Sequence, residues 1–191
     1  MLNTANWSRD EIQKLALDFL KGKTKDHRGR DVQDYLNFSE QELEFDHEWI
    51  QWAFPIDTAS PHNPWAGRLF FGCHAHFKAN GKAYKNQELL AKKYLGSIGF
   101  TGVDHYAFNM KCDANKFFQV VDAPDNHHMK RISRVLRHFV LCNHDQFSRR
   151  LVITITRDLI AINPNGFTPW TVAYWNATAY NYRDISFKDL P

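Results

Sequence analysis

The side chains of this chain best suited to chemistry lie in two stretches. In the first, Asp26, Arg28 and Arg30 occupy a polar segment, and His47 and Gln51 follow four residues apart. On a helix, residues four apart share one surface, so His47 and Gln51 can grip a ligand together. The plainer alternative is a polar pair that holds loop backbone near Asn63, because buried polar groups must be satisfied. Trp49 and Trp52, near Phe45, could offer a stacking platform for a peptide aromatic or a base; at helical spacing the plainer reading is core. Arg28 can pair an acidic ligand, or fasten its own loop to Glu44 or Asp46. In the second stretch, His127, Arg131, Arg134 and His138 recur at i, i+4, i+7 and i+11. The spacing predicts one basic stripe turned away from Ile132 and Leu136, beginning at a helix start where a phosphate or carboxylate is favoured. A solvated face with salt bridges is the alternative reading.

Other chemistries find less support. Cys73, His74 and His76, with Cys142 and His144, raise the question of zinc. The usual C-x-x-C and H-x-x-x-H spacings are missing, so neither a metal nor another cofactor is expected. There is no G-x-S-x-G, no P-loop, no dinucleotide glycine fingerprint and no clear carboxylate dyad. That argues against the common hydrolases, kinases and dehydrogenases. An enzyme with an unfamiliar site, built from Asp26, His47, Gln51, His127 and Arg131, stays open as an alternative.

The elements that must position these groups read mainly as helices. Ser8 is the expected N-cap of a first helix carrying Ile12, Leu15, Ala16 and Phe19 and ending near Gly22. A short helix is expected over 31–36. Ser39 and Glu42 form a capping box, and the helix they open is expected to run to Phe54, apolar on two sides and central to the domain. Three prolines make 55–67 a loop. Residues 68–80 are ambiguous between strand and helix. A helix is expected over 87–95, a short hairpin within 100–121, and a helix from Asp125 or Asn126 to about Asn143. The LVITIT run favours a strand locally, but Phe147, Leu151, Ile155 and Leu159 keep helical spacing, and a helix over 145–160 is the expectation. The last thirty residues hold Pro164, Gly166, Pro169 and many aromatics, and read as an irregular arm.

The chain has 191 residues, a net charge of +3, 43% hydrophobic and 15% aromatic residues. This suits an ordered globular chain with a sizeable core. The basic excess is too small and dispersed to point to nucleic acid. Three cysteines make no disulfide framework. The N-terminus does not look like a signal peptide, and no membrane span is expected. A reducing cytoplasm, or a nucleus in a eukaryote, is the expected setting.

Three pieces carry a resemblance: TKDHRGRDVQDYL, LEFDHEWIQWAFP and the 60–64 loop with Asn63. Asp26, Arg28, Gly29, Glu44, His47, Ile50, Gln51, Trp52, Phe54 and Pro55 fall on the pattern. NHHMKRISRVLRHF adds a second anchor through Asn126, His127, Arg131, Ile132, Arg134, Val135 and Leu136. In these pieces the chain resembles the conserved region of the opioid growth factor receptor family, and looks like its short bacterial or fungal members. The vertebrate relatives are nuclear-associated receptors for an enkephalin peptide. The architecture expected is a mainly α, single-domain orthogonal helical bundle over 1–160, possessing a short β-hairpin and an irregular aromatic-rich arm over 161–191. The function expected is a non-catalytic module binding a peptide or a small anionic ligand between the 40–54 and 126–140 helices. Its candidate contacts are Asp26, Arg28, Glu44, His47, Gln51, Trp52, Asn63, Asn126, His127, Arg131 and Arg134. A weak nucleic-acid binder using Arg131, Arg134 and Arg137 is the remaining alternative.

Overall fold

Local signals written into the chain set most of the helix starts. In the computed structural model, Ser8 caps α1 (Arg9–Leu20) through a capping box with Glu11, and Gly22 (φ +68°) turns the chain beyond its end. Asp31 caps α2 (Val32–Asn37), and Ser39 with Glu42 caps α3 (Glu40–Phe45). Next come α4 (Trp49–Ala53), α5 (Gly81–Ser97), the strands β1 (Phe100–Thr101) and β2 (Lys111–Cys112), and α6 (Ala114–Val120). The chain continues through α7 (His127–Leu141), α8 (Asp145–Ile155) and α9 (Pro169–Asn181). The structure describes residues 6–60, 63–70, 73, 81–104 and 106–181. The protein is mainly helical, and β1 and β2 form a small antiparallel sheet with Phe100 opposite Cys112. Among the described residues, no helix is long and apolar enough to cross a membrane.

Backbone packing gathers the chain into two compact units, Met1–Leu90 and Ala91–Pro191, with the division inside α5. In the first, α1 and α2 pack on α4. Phe19, Tyr35 and Trp52 form its aromatic centre, with Phe19 5.3 Å from Tyr35 and 5.1 Å from Trp52, ring to ring. Such tilted pairs add to the burial of large rings. Gly67 lets the chain cross α1 closely: a Cβ there would lie 2.4 Å from the Ala16 nitrogen.

In the second unit, α7, α8 and α9 pack on one another. Phe139 stacks on Phe147 at 3.9 Å, the Ser148 hydroxyl donates to the Leu136 carbonyl, and the Trp175 indole donates to Ser133 Oγ. The β-branched LVITIT run is helical because Phe147, Leu151, Val152 and Ile155 all bury from one helix, and packing overrides local propensity. After Ile155 the helix widens into a π-turn, Thr156–Ile160. This turn carries Asp158, which accepts the Cys112 N–H at 2.8 Å, while Thr154 and Arg157 donate to the Met110 carbonyl. The second unit thus holds its hairpin from α8. Burial, with Asp158 and Asp113 nearby, pushes the Cys112 thiol up to about 12, so it stays protonated.

Three expectations are corrected. The helix expected over 40–54 is broken at 46–48: the Asp46 side chain accepts the Glu48 and Trp49 N–H groups, which competes with helix continuation. The irregular arm contains a 13-residue helix, α9, opened by Thr168, whose hydroxyl accepts the Thr171 N–H, with Pro169 at its first position. Pro169 starts a helix here rather than breaking one. The third is the basic stripe of α7, whose Arg131, Arg134 and His138 are buried. Of the ambiguous 68–80 stretch, 68–70 are irregular and 71–72 and 74–80 lie outside the described residues, His74 and His76 among them.

Gly67→Ala is expected to destabilise the protein by about 1–3 kcal/mol, since the α1 backbone must shift. Gly96→Ala, in a helix with nothing within 4 Å of the new Cβ, is expected to stabilise by about 0.5–1 kcal/mol. Urea unfolding of the two variants beside the parent checks both signs.

Candidate functional site

The site grows from one turn. Asp26 to Arg30 closes a loop in which the Asp26 N–H donates to the Arg30 carbonyl at 2.7 Å, and Gly29 takes φ +81°, a conformation glycine adopts without strain. The Asp26 carboxylate, fully buried, fills the loop. It accepts the Arg28 and Arg30 N–H groups, both at 2.8 Å, the Arg30 Nε at 2.7 Å and the Tyr35 hydroxyl at 2.7 Å. Arg30 lies over the Tyr35 and Phe38 rings and also donates to Asp46. Burial pushes the Asp26 carboxyl upward, but the Arg30 N–H, the Tyr35 hydroxyl and the Arg30 guanidinium outweigh it and hold it below the usual carboxylate range. Asp46 is held low in the same way, burial being outweighed by Arg30 and the Glu48 N–H. The Tyr35 phenol is driven well above its ordinary value by burial and by Asp26.

Beside this hub lies a second polar layer. Arg28 Nη2 is 2.8 Å from Glu48 Oε2, and His27 Nε2 is 3.0 Å from the same oxygen. The His27 ring stacks on Trp65 at 4.8 Å and lies parallel to Trp52 at 6.5 Å. Asn63 Nδ2 donates to the Glu48 carbonyl, and Asn63 bridges back to Ser60. Around these contacts, buried polar atoms are left without a hydrogen-bond partner: His27 Nδ1, Gln51 Oε1, Trp52 Nε1 and Asn63 Oδ1. Trp52 and Asn63 are each 1% exposed. Folded proteins rarely leave such groups unpaired, and each one calls for an explanation. The set mixes a donor-only group, the Trp52 N–H, with acceptor-only carbonyl oxygens on Gln51 and Asn63.

Of the expected contacts, Asp26, Arg28, Gln51, Trp52 and Asn63 are linked in or beside this cluster. His47 is not paired with Gln51 on a helix: it sits exposed in the 46–48 break, while Gln51 is half-buried in α4. Trp49 and Trp52 are buried core, so neither offers an open stacking face, whereas Phe45 is 71% exposed. Arg28 does fasten its loop, to Glu48 and at 3.6 Å to Asp46 rather than to Glu44. Glu44 is half-buried at the end of α3.

Asn126, His127, Arg131 and Arg134 belong to the second unit. Asn126 is the N-cap of α7, accepting the His128 N–H. The His127 ring lies 4.4 Å from that of His128, which stacks on Tyr94. Arg131 is 4% and Arg134 8% exposed, and Arg137 and His138 are buried too. The expected solvated stripe is therefore corrected. α7 is buried around nearly its whole circumference, and its arginines are engaged with partners, as buried charge requires. Sequence reasoning passed over His27, Glu48 and Trp65. The place of His27 inside the polar 26–30 segment was the available signal; Glu48 and Trp65 are distant in sequence and meet it only in the fold. Comparison with family models, with curated proteins and with solved structures found no match for this chain.

Asp26→Asn is expected to cost about 3–5 kcal/mol at neutral pH, because its amide would face the Arg30 and Tyr35 donors with a donor of its own. The folded-state value of Asp26 is depressed. Its contribution is therefore full above the unfolded value of about 3.9 and is lost as pH falls through the lower folded value. Chemical unfolding across pH 2–7 should show the gap between parent and variant closing on the acid side.

Proposed function

We propose that the protein is a non-catalytic binding module that takes a short peptide at the cluster of His27, Gln51, Trp52, Asn63 and Trp65. The observation that carries this reading is the group of buried, unpartnered polar atoms on His27, Gln51, Trp52 and Asn63, beside a hub whose Asp26 carboxylate is fully paired. A peptide group offers one donor and one acceptor, which suits a set holding both the Trp52 N–H and the Gln51 and Asn63 carbonyl oxygens. The half-buried Trp65, with His27 stacked upon it, would supply apolar and aromatic contact.

A small anion fits this cluster less well. Arg28 and Arg30 already face Asp26, Asp46 and Glu48. Two cations among three carboxylates leave no surplus of positive charge, and Arg131 and Arg134 are buried with partners of their own. A catalytic role for Asp26 is poorly supported, since a fully buried carboxylate holding four donors is closed to substrate. The resemblance to the opioid growth factor receptor conserved region agrees with this choice. Gln51, Trp52 and Asn63 lie on its pattern, and a peptide ligand is what it implies.

Thermal denaturation of the full chain with a panel of short peptides, and separately with inorganic phosphate, tests the reading. A peptide at a hundred times its dissociation constant should stabilise by roughly 2.7 kcal/mol, and phosphate should do nothing. Gln51→Leu is expected to keep or raise stability, because it removes an unsatisfied carbonyl, while weakening peptide binding about tenfold. Asn63→Ala should weaken binding as well. No response to any peptide, or full affinity in both variants, would refute the proposal.

A further inference from the structure

Helix α9 reads PWTVAYWNATAYN and holds no charged residue. A surface helix normally carries charge on its outer face. Here one face, with Thr171, Tyr174, Trp175, Thr178 and Ala179, is buried within the second unit. The other presents Trp170, 73% exposed, Ala173, Ala177 and Tyr180, 46% exposed. These four are spaced three, four and three apart, the interval that lines up side chains along a helix–helix seam.

We propose that this seam is where two copies of the chain associate, with their α9 helices antiparallel about a two-fold axis. The pattern aromatic, small, small, aromatic reads the same in both directions. An interface about a two-fold axis requires such self-matching, because each copy offers the same patch. Antiparallel pairing sets Trp170 against the partner's Tyr180 and Ala173 against the partner's Ala177. The two alanines let the helix axes approach closely, toward the 8 Å end of the usual range.

Charge points to the same occupant. With no charged side chain on the helix, two copies bring no like charges together along the seam. Antiparallel helices also place the positive end of one dipole beside the negative end of the other. Among the described residues, Arg149 places a charge beside the seam: its guanidinium lies over the Tyr180 ring at 5.6 Å and donates to the Ala179 carbonyl. It would come beside the partner's Trp170, and a tryptophan face is the best aromatic seat for a guanidinium. A stable interface takes about 800 Å² from each partner. Two aromatics of 150–250 Å² each, partly buried already, and two alanines supply less than that. The association is therefore weak and reversible.

Sedimentation equilibrium of the full chain over a wide concentration range tests this. The parent should pass from monomer to dimer, and Ala173→Glu, which puts two like charges at the centre of the seam, should weaken the dimer at least tenfold while circular dichroism stays unchanged. Trp170→Gln should do the same and guards against misfolding of the first variant. Mixing Ala173→Cys with Ala177→Cys copies under mild oxidation should give mainly the mixed disulfide dimer. A monomer at every concentration would overturn the proposal and leave the seam to a different protein; a dimer indifferent to both substitutions would overturn it as well. Self-linking of Ala173→Cys in preference to the mixed product would refute the antiparallel arrangement.

Discussion

The first unit depends on one buried carboxylate. The Asp26 side chain has no exposure, yet it stays ionised because four donors converge on it: two backbone N–H groups of its own turn, the Arg30 guanidinium and the Tyr35 hydroxyl. A charge removed from water without such partners would be strongly destabilising. Each donor ties a different piece of chain to the hub. The backbone groups shape the turn that carries His27 and Arg28. Tyr35 brings in α2. Arg30 continues to Asp46, and the other oxygen of Asp46 accepts the N–H groups that open α4. The orientation of Glu48, Gln51 and Trp52 thus follows from a chain of charge-assisted bonds beginning at Asp26.

That chain also explains what the sequence made legible. Caps were readable because they rest on side chains a few residues from the backbone they satisfy: Ser8 at α1, Ser39 with Glu42, Asn126 at α7. The Asp26 hub was half legible. Asp26, Arg28 and Arg30 marked a polar loop, but nothing local says that Tyr35 closes over it or that Asp46 lies across from it. The break at 46–48 was hidden for the same reason. Periodicity from Leu43 to Phe54 is unbroken, and only the tertiary pull of Arg30 on Asp46 makes the interruption favourable. The arginines of α7 misled because charge on a helix reads as surface, whereas here the stems and heads are packed inside. In α9 the prolines and aromatics read as irregular chain, although Pro169 stands at the one helical position where proline is at home.

The two units handle polarity differently. The first gathers a dense set of charges around a fully paired Asp26 carboxylate and leaves several buried polar atoms beside it unpaired. A protein selected for stability alone would gain by replacing such atoms with apolar groups, and sites that sacrifice some stability are commonly the functional ones. The second unit places arginines inside and leaves an uncharged aromatic helix face outside, the reverse of the usual surface. The first departure is where we propose that a ligand binds, and the second where we propose that a copy of the chain docks.

The most direct test of the hub is native-state hydrogen exchange at the Arg28 and Arg30 amides. Loop amides near the surface ordinarily exchange through local opening at little free-energy cost. If the Asp26 carboxylate holds the unit together, these two amides should open only with the α4 core, showing protection comparable to that of Phe54, whose N–H donates to the Ile50 carbonyl. Exchange at the fast rates of an ordinary loop, with the α4 amides still protected, would show that the turn opens independently and would contradict the account.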